Sequence, residues 1–183
     1  DGEVIYRKDK KKGKVGLVSG GGSGHEPAHA GYVGYGMLDA AVAGNVFASP
    51  SPDRILKGLE HADSGQGVLM VSKNYSGDIM NFQNAAALAG LDGITVDYVK
   101  VADDIAVQDS LYTVGRRGVA GTVFVHKVAG AAAEEGKDLA EVKRVAQKCA
   151  DNVRSVGFAY TSCTVPAKGT PTFQLDESEM EYG

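Results

Sequence analysis

The sequence predicts an α/β fold, a three-layer α/β/α sandwich on a mostly parallel sheet, and three observations carry that expectation. Short apolar, β-branched runs alternate along the chain with longer segments whose apolar residues recur at helical spacing. Two of the short runs stop at loops rich in small polar residues, "SGGGSG" and "SKNYSG". The chain has 183 residues, 43% hydrophobic and 23% charged, which is material for one sizeable core and is not the composition of a disordered chain. Strands that alternate with helices are joined by crossovers. This puts helices on both faces of the sheet and functional loops at the carboxyl ends of the strands.

Taken in order, the chain enters a strand almost at once, before a basic stretch, "YRKDKKKGK", that reads as a solvated turn. "KVGLVS" (14–19), "DAAVAG" (39–44) and "GVLMVS" (67–72) read as buried strands, "TVDYVKV" (95–101) as a strand with period-two alternation, and "SVGFAYTS" (155–162) as a later strand. Helical patterns cover 53–61, after the breakers Pro50 and Pro52, and then 79–89, 119–135 and 139–155. The last is the best defined, with Leu139, Val142, Val145, Ala146, Cys149 and Val153 on one face and Asp138 with Glu141 as a capping pair.

Composition removes whole classes of function. A formal net charge of −4 is a poor match for nucleic acid, whose binders need a basic face. No apolar run approaches the roughly 18 residues of a membrane span, so neither nucleic acid nor membrane is an expected partner. Cys149 and Cys163 have neither metal-ligand spacing nor the density of a disulfide framework, which points to a reducing, cytoplasmic home.

The stretch "SGGGSGHEPAH" (19–29) invites three chemistries. Its H-E-x-x-H would be a zinc-protease helix, but Pro27 occupies the third position, where proline breaks a helix and is welcome only at its start. The helix is therefore expected to begin near Pro27, leaving His25 in the loop and no metal site. A phosphate-binding P-loop requires Lys-Ser/Thr after the last glycine, where His25 and Glu26 stand instead. A dinucleotide fingerprint fails at its third glycine, although Asp39 lies at a suitable distance for a ribose contact. What survives is strand, glycine loop, imidazole and helix start, an arrangement that lets backbone approach a small oxygen-rich or anionic ligand. "SKNYSGD" (72–78) has the same address after the third strand and brings Lys73 and Asp78 toward the same sheet edge. A cation, a carboxylate and an imidazole suit proton transfer at a hydroxyl. Two plainer readings stand beside this one: Asp78 as the cap of a helix starting at Ile79, and Lys73 as a solvated loop lysine. His126 reads as a hydrogen-bonded structural residue, His29 as packing against or supporting His25, and His61 as exposed. The arginines of "GRRG" (115–118) serve either a phosphate or a salt bridge at a helix entry.

The blocks "GGGSGHEPAHAGYVGYGMLDAAVAGNVFASPSPDRI", "KNYSGDIMNF", "DDIAVQDSLYTVGRRGVAGTVFVHKVAGAAAE" and "NVRSVGFAYTSCTVPAKGTP" closely resemble the substrate-binding subunit of the dihydroxyacetone kinase family, over nearly the whole chain. The resemblance implies a protein that holds dihydroxyacetone for phosphorylation. ADP or ATP with magnesium would sit on a separate helical partner subunit or domain, with no cofactor on this chain. It implies that Gly22, Ser23, Gly24 and His25 cradle the ketone, that Lys73 and Asp78 complete the binding residues, and that His25 and Asp78 handle the proton of the attacking hydroxyl. It also implies a homodimer, and a phosphoryl donor that is either ATP or a phosphotransferase-system protein. The family has a second domain whose histidine bonds covalently to the ketone. That histidine is not in this sequence, so residues 1–183 are expected to be the first α/β domain, inactive alone, with a short segment also expected before Asp1. A non-catalytic regulatory homologue that senses the ketone is the alternative implied by the same resemblance.

Overall fold

In the computed structural model, residues 3–9, 12–109 and 113–182 are described. The sheet has five strands in the order β1-β3-β2-β4-β5. They are β1 (Val4–Tyr6), β2 (Gly16–Ser23), β3 (Ala40–Val46), β4 (Val68–Lys73) and β5 (Val96–Val101). All neighbours run parallel except β1, which closes the β3 edge in antiparallel register, with Val4 opposite Val42. Helices α1 (Pro52–Ala62) and α2 (Ser76–Leu91) cover one face, and α3 (Thr122–Glu134) and α4 (Leu139–Asn152) cover the other. The three-layer sandwich follows from the pleat. Val15 and Leu17 point toward α3 and α4, whereas Val18 points toward α1 and α2 around Phe82. Fully buried residues such as Phe82 each contribute about 1.5–3 kcal/mol of burial free energy.

Pro52 opens α1 at its first turn, and the Asp138 carboxylate accepts the Glu141 amide at 2.9 Å, capping α4 as its sequence predicts. The region after Pro27 departs from expectation. Instead of a helix it forms turns and one short 3-10 segment, Ala30–Tyr32. Gly31, Gly34 and Gly36 fall within six residues, each costing a helix about 1 kcal/mol relative to alanine, and Gly36 adopts φ +67°. The segment 155–162 is not a strand of the main sheet either. Ser155 makes an isolated bridge to Asp104, and Phe158–Ala159 (β6) pairs with Glu181–Tyr182 (β7) in a small separate hairpin.

The basic stretch is less solvated than its composition suggests, though Lys10 and Lys11 lie outside the described residues. Lys14 is buried and donates to Asp39 Oδ2 at 2.6 Å, and Arg7 bridges Asp39 and Glu134, tying β1 and β2 to α3. Asp39 also accepts the Leu17 amide at 2.9 Å, so its carboxylate is spent on the fold rather than on a ribose. His61 is exposed, as expected, with its ring stacked on Tyr6 at 3.9 Å.

Candidate functional site

The carboxyl ends of β2 and β4 meet at the centre of the sheet, and the segments leaving them carry the residues singled out above. β2 continues as strand through the glycines, with Gly20, Gly21 and Gly22 opposite Val42, Ala43 and Gly44. The expected glycine loop is therefore mostly strand, and only Gly24, at φ +96°, turns the chain. Packing explains why. A Cβ on Gly20 would lie 2.4 Å from the Val42 carbonyl, and one on Gly22 would lie 2.6 Å from the Ala48 amide, because residues 47 and 48 cross directly over it. Ser23 Oγ donates to the Gly44 carbonyl at 2.7 Å, holding β2 to β3.

His25 stands free of the strand with its Nδ1 2.8 Å from the Gly22 carbonyl oxygen. A carbonyl only accepts, so Nδ1 carries the proton in the neutral ring and Nε2 keeps its lone pair. The ring rests edge-on against Phe47 at 5.1 Å. Phe47 itself sits at φ +53°, an uncommon conformation for a residue with a side chain, and the absence of a Cβ at Gly24 makes room for its ring. Sequence reasoning missed Phe47, because nothing local signals that its ring supports His25.

Lys73 ends β4 and is buried rather than solvated, with its Nζ 5.5 Å from the centre of the Tyr75 ring. Burial lowers its pKa, while Asp78 and Asp103 act in the opposite direction. α2 begins at Ser76, not Ile79, and Tyr75 is its N-cap, so Asp78 lies inside the first turn and is not the cap. Asp78 is buried too. Burial raises its carboxyl above the usual range, with a hydrogen bond from Ser49 and the charges of Lys73 and His25 pulling it back. A carboxylate made more basic in this way, beside a cation, is suited to accept a proton.

A cleft of about 290 Å³ opens between the 25–32 segment and the entrance of α3, and His25, His29, Lys73, Tyr75 and His126 all line it. Gly22 and Ser23 line a separate, smaller cavity of about 30 Å³ that shares His29 as a wall. Asp78 lines neither and reaches the group from the α2 side. The structure thus brings His25 and Lys73 into one cleft and Gly22 and Ser23 into the cavity beside it, while Asp78 and Gly24 line neither. His29 is not hydrogen-bonded to His25; its Nδ1 faces Ser19 Oγ at 3.2 Å and His126 Nε2 at 3.4 Å. His126 is fully buried, and burial, then the charge of Lys73, depresses its pKa to about 3. Arg117 donates from Nε and Nη2 to the one oxygen Asp104 Oδ2, at 3.1 and 2.9 Å, which settles its part of "GRRG" as a salt bridge. Asp103 accepts the amides of Val119 and Gly121, fixing the α3 wall of the cleft. Among the described residues, no three His, Cys, Asp or Glu side chains are grouped to hold a metal ion. None of the described helices is long and apolar enough to cross a membrane.

Comparison with known proteins decides the family, since the Dak1 domain matches residues 1–183. The chain belongs to the Dak1 domain family. This Dak1 chain is 60% identical, over 98% of its length, to the dihydroxyacetone-binding subunit DhaK of a PTS-dependent dihydroxyacetone kinase from Listeria innocua, of which it spans 55%. The dihydroxyacetone kinase of Citrobacter freundii in complex with AMP-PNP and Mg2+ superposes with a TM-score of 0.91 at 44% identity, covering 98% of the Dak1 chain and 33% of the other. A dihydroxyacetone kinase operon co-activator, DhaQ, superposes equally well, with a TM-score of 0.91 at 39% identity over 99% of the Dak1 chain and 55% of its own. The Dak1 chain therefore spans about half the length of the Listeria innocua subunit and a third of the Citrobacter freundii kinase.

Proposed function

We propose that this chain is the substrate-binding part of a dihydroxyacetone kinase, phosphorylating dihydroxyacetone to dihydroxyacetone phosphate with a donor held on a separate helical subunit or domain. The observation that carries the reading is the His25 ring, whose proton is held on Nδ1 by the Gly22 carbonyl, so that a bare Nε2 is presented beside Lys73 and Asp78. In this reading Gly22, Ser23 and Gly24 shape the wall through their backbone, Lys73 binds a ketone oxygen, and His25 and Asp78 handle the proton. As the substrate hydroxyl oxygen bonds to phosphorus and the bond to the donor breaks, the hydroxyl proton passes to this imidazole–carboxylate pair. Nucleotide and magnesium, where used, belong to the helical partner. The high identity to a subunit named as PTS-dependent supports a phosphotransferase-system protein as ultimate donor. Two cysteines without a disulfide support a cytoplasmic site of action, and the working form is taken to be a homodimer of the complete subunit.

The test mixes the complete subunit with its helical partner, donor and dihydroxyacetone, and follows product through coupled reduction. His25→Asn and Lys73→Met should each lower turnover by about 10²-fold or more. Turnover unchanged in either variant would refute the assignment. The likeness to the operon co-activator supports a second reading, a ketone sensor, which would bind dihydroxyacetone with no turnover under any donor.

A further inference from the structure

Gly21 differs from its neighbours. Cβ atoms on Gly20 and Gly22 would collide with backbone, whereas one on Gly21 would meet nothing closer than His29 Nε2 at 3.6 Å and Lys73 Cε and Nζ at 3.7 Å, ordinary contact distances. Packing does not require glycine at this position. What the missing side chain leaves is a space flanked by two nitrogens on the α3 side of the sheet: Gly21 and His29 line the small cavity of about 30 Å³, and His29 and Lys73 line the cleft next to it.

Both nitrogens are available. His29 is 6% exposed, and its Nε2 has no hydrogen-bond partner, an unusual condition for a buried polar atom. Among the described residues no carboxylate forms an ion pair with Lys73, whose nearest named partner is the Tyr75 ring. The protonation of His29 follows from its other side. Burial holds both His29 and His126 neutral at physiological pH. His126 Nδ1 is fully buried without a partner, and an orphaned acceptor there costs less than an orphaned N–H, so the His126 proton sits on Nε2. His126 Nε2 and the Ser19 hydroxyl then both point hydrogens at His29 Nδ1, at 3.4 and 3.2 Å, distances suited to one lone pair shared by two donors. That leaves the His29 proton on Nε2, directed at the space beside Gly21.

We infer that the space over Gly21 is a subsite for an acceptor oxygen of the ligand, held between His29 Nε2–H and the Lys73 ammonium, and that His29 is a further substrate-binding residue. Two donors converging from a buried imidazole and a cation suit a carbonyl oxygen, or the two neighbouring oxygens of an α-hydroxyketone, one to each donor. Ser19 and His126 act through His29 by fixing its tautomer. This inference rests on the ketone-binding reading above and adds a residue to it.

The experiment uses the complete subunit and titrates dihydroxyacetone into the parent protein, His29→Leu, His29→Gln, Gly21→Ala and Lys73→Met, with thermal unfolding of each as a control. His29→Leu and Gly21→Ala should each weaken binding about 10- to 100-fold, the loss expected when a buried donor or its space is removed, while His29→Gln, which keeps a donor, stays within several-fold of the parent. Gly21→Ala should leave unfolding unchanged, because its methyl fits, so it reports on the subsite even if His29→Leu folds poorly. Nitrogen NMR of the ring should show His29 protonated on Nε2 and that signal moving on addition of ketone, which a purely structural histidine would not show. If the parent binds and Lys73→Met weakens binding while Gly21→Ala binds as the parent does, or the His29 Nε2 signal stays still, the subsite is wrong and the ketone reading survives. If the parent does not bind dihydroxyacetone, the ketone reading itself falls.

Discussion

Acidification should destabilise this domain by way of His126. The ring has no exposed surface and a pKa of about 3 in the folded state, against 6.5 for an unhindered histidine. With the folded value depressed, the unfolded chain takes up the proton first as pH falls. The stabilisation is complete above about pH 6.5 and is lost progressively below it, at about 1.4 kcal/mol per pH unit. Between about pH 6.5 and pH 5 the loss is thus about 2 kcal/mol from this residue, or a fall of roughly 4–8 °C in Tm for a domain of this size. His29, depressed by its own burial and then by His126, Lys73 and His25, adds to the slope in the same direction. Urea unfolding of the parent and His126→Leu at half-unit pH intervals measures it. The variant should lose most of one proton's worth of slope over this range. A parent whose stability is flat from pH 7.5 to pH 5, or a variant with the parental slope, would refute the account of a buried neutral imidazole.

Asp78→Asn in the complete subunit should lower turnover by about 10²- to 10⁴-fold in a steady-state assay, yet leave Tm level or raised, since the substitution removes a charge that burial disfavours; a lowered Tm with intact turnover would make Asp78 structural. Gly118→Ala places a methyl 2.4 Å from the Val101 carbonyl and 2.8 Å from Lys73 Cα, so it should cost about 1–3 kcal/mol in denaturant unfolding and weaken ketone binding through Lys73. Asp39→Ala takes from the buried Lys14 ammonium its 2.6 Å partner, leaving Glu134 at 4.0 Å, and should destabilise by about 3 kcal/mol in the same measurement, with ketone affinity unchanged once folded.

The layers of the fold were legible because they depend on periodicity, which Leu17, Val18 and Phe82 display in the letters themselves. The Asp138 cap was legible for a similar reason, as a local signal three residues long. The missing helix after Pro27 was not, since a first-turn proline marks a possible start and carries no information on the three glycines that follow, whose combined cost to a helix is larger. At the candidate site, His25, Lys73 and Asp78 stand out in the sequence because each lies at or shortly after a strand end. The true reason for Gly22 could not, because it lies in the Phe47–Ala48 backbone, more than twenty positions away. His29 was assigned to the support of His25, whereas its hydrogen bonds go to Ser19 and His126, and only the path of α3 reveals that pairing.

Residues 47–50 fold back as a wedge over the paired carboxyl ends of β2 and β3, where a Cβ on Gly44 would come within 2.1 Å of the Ala48 carbonyl and 2.7 Å of the Pro50 nitrogen. That wedge carries Ser49, the hydroxyl that draws the Asp78 carboxyl back toward its ordinary range. Any side chain at Gly44 must push the wedge outward and take Ser49 with it, so the proton affinity of Asp78, on α2, is written partly in a residue of β3. A screen of random variants for lost activity would return Gly44 beside Asp78, and two measurements would tell them apart: a pH–rate profile displaced along the pH axis with lowered Tm for Gly44, against a profile lowered throughout with Tm level or raised for Asp78.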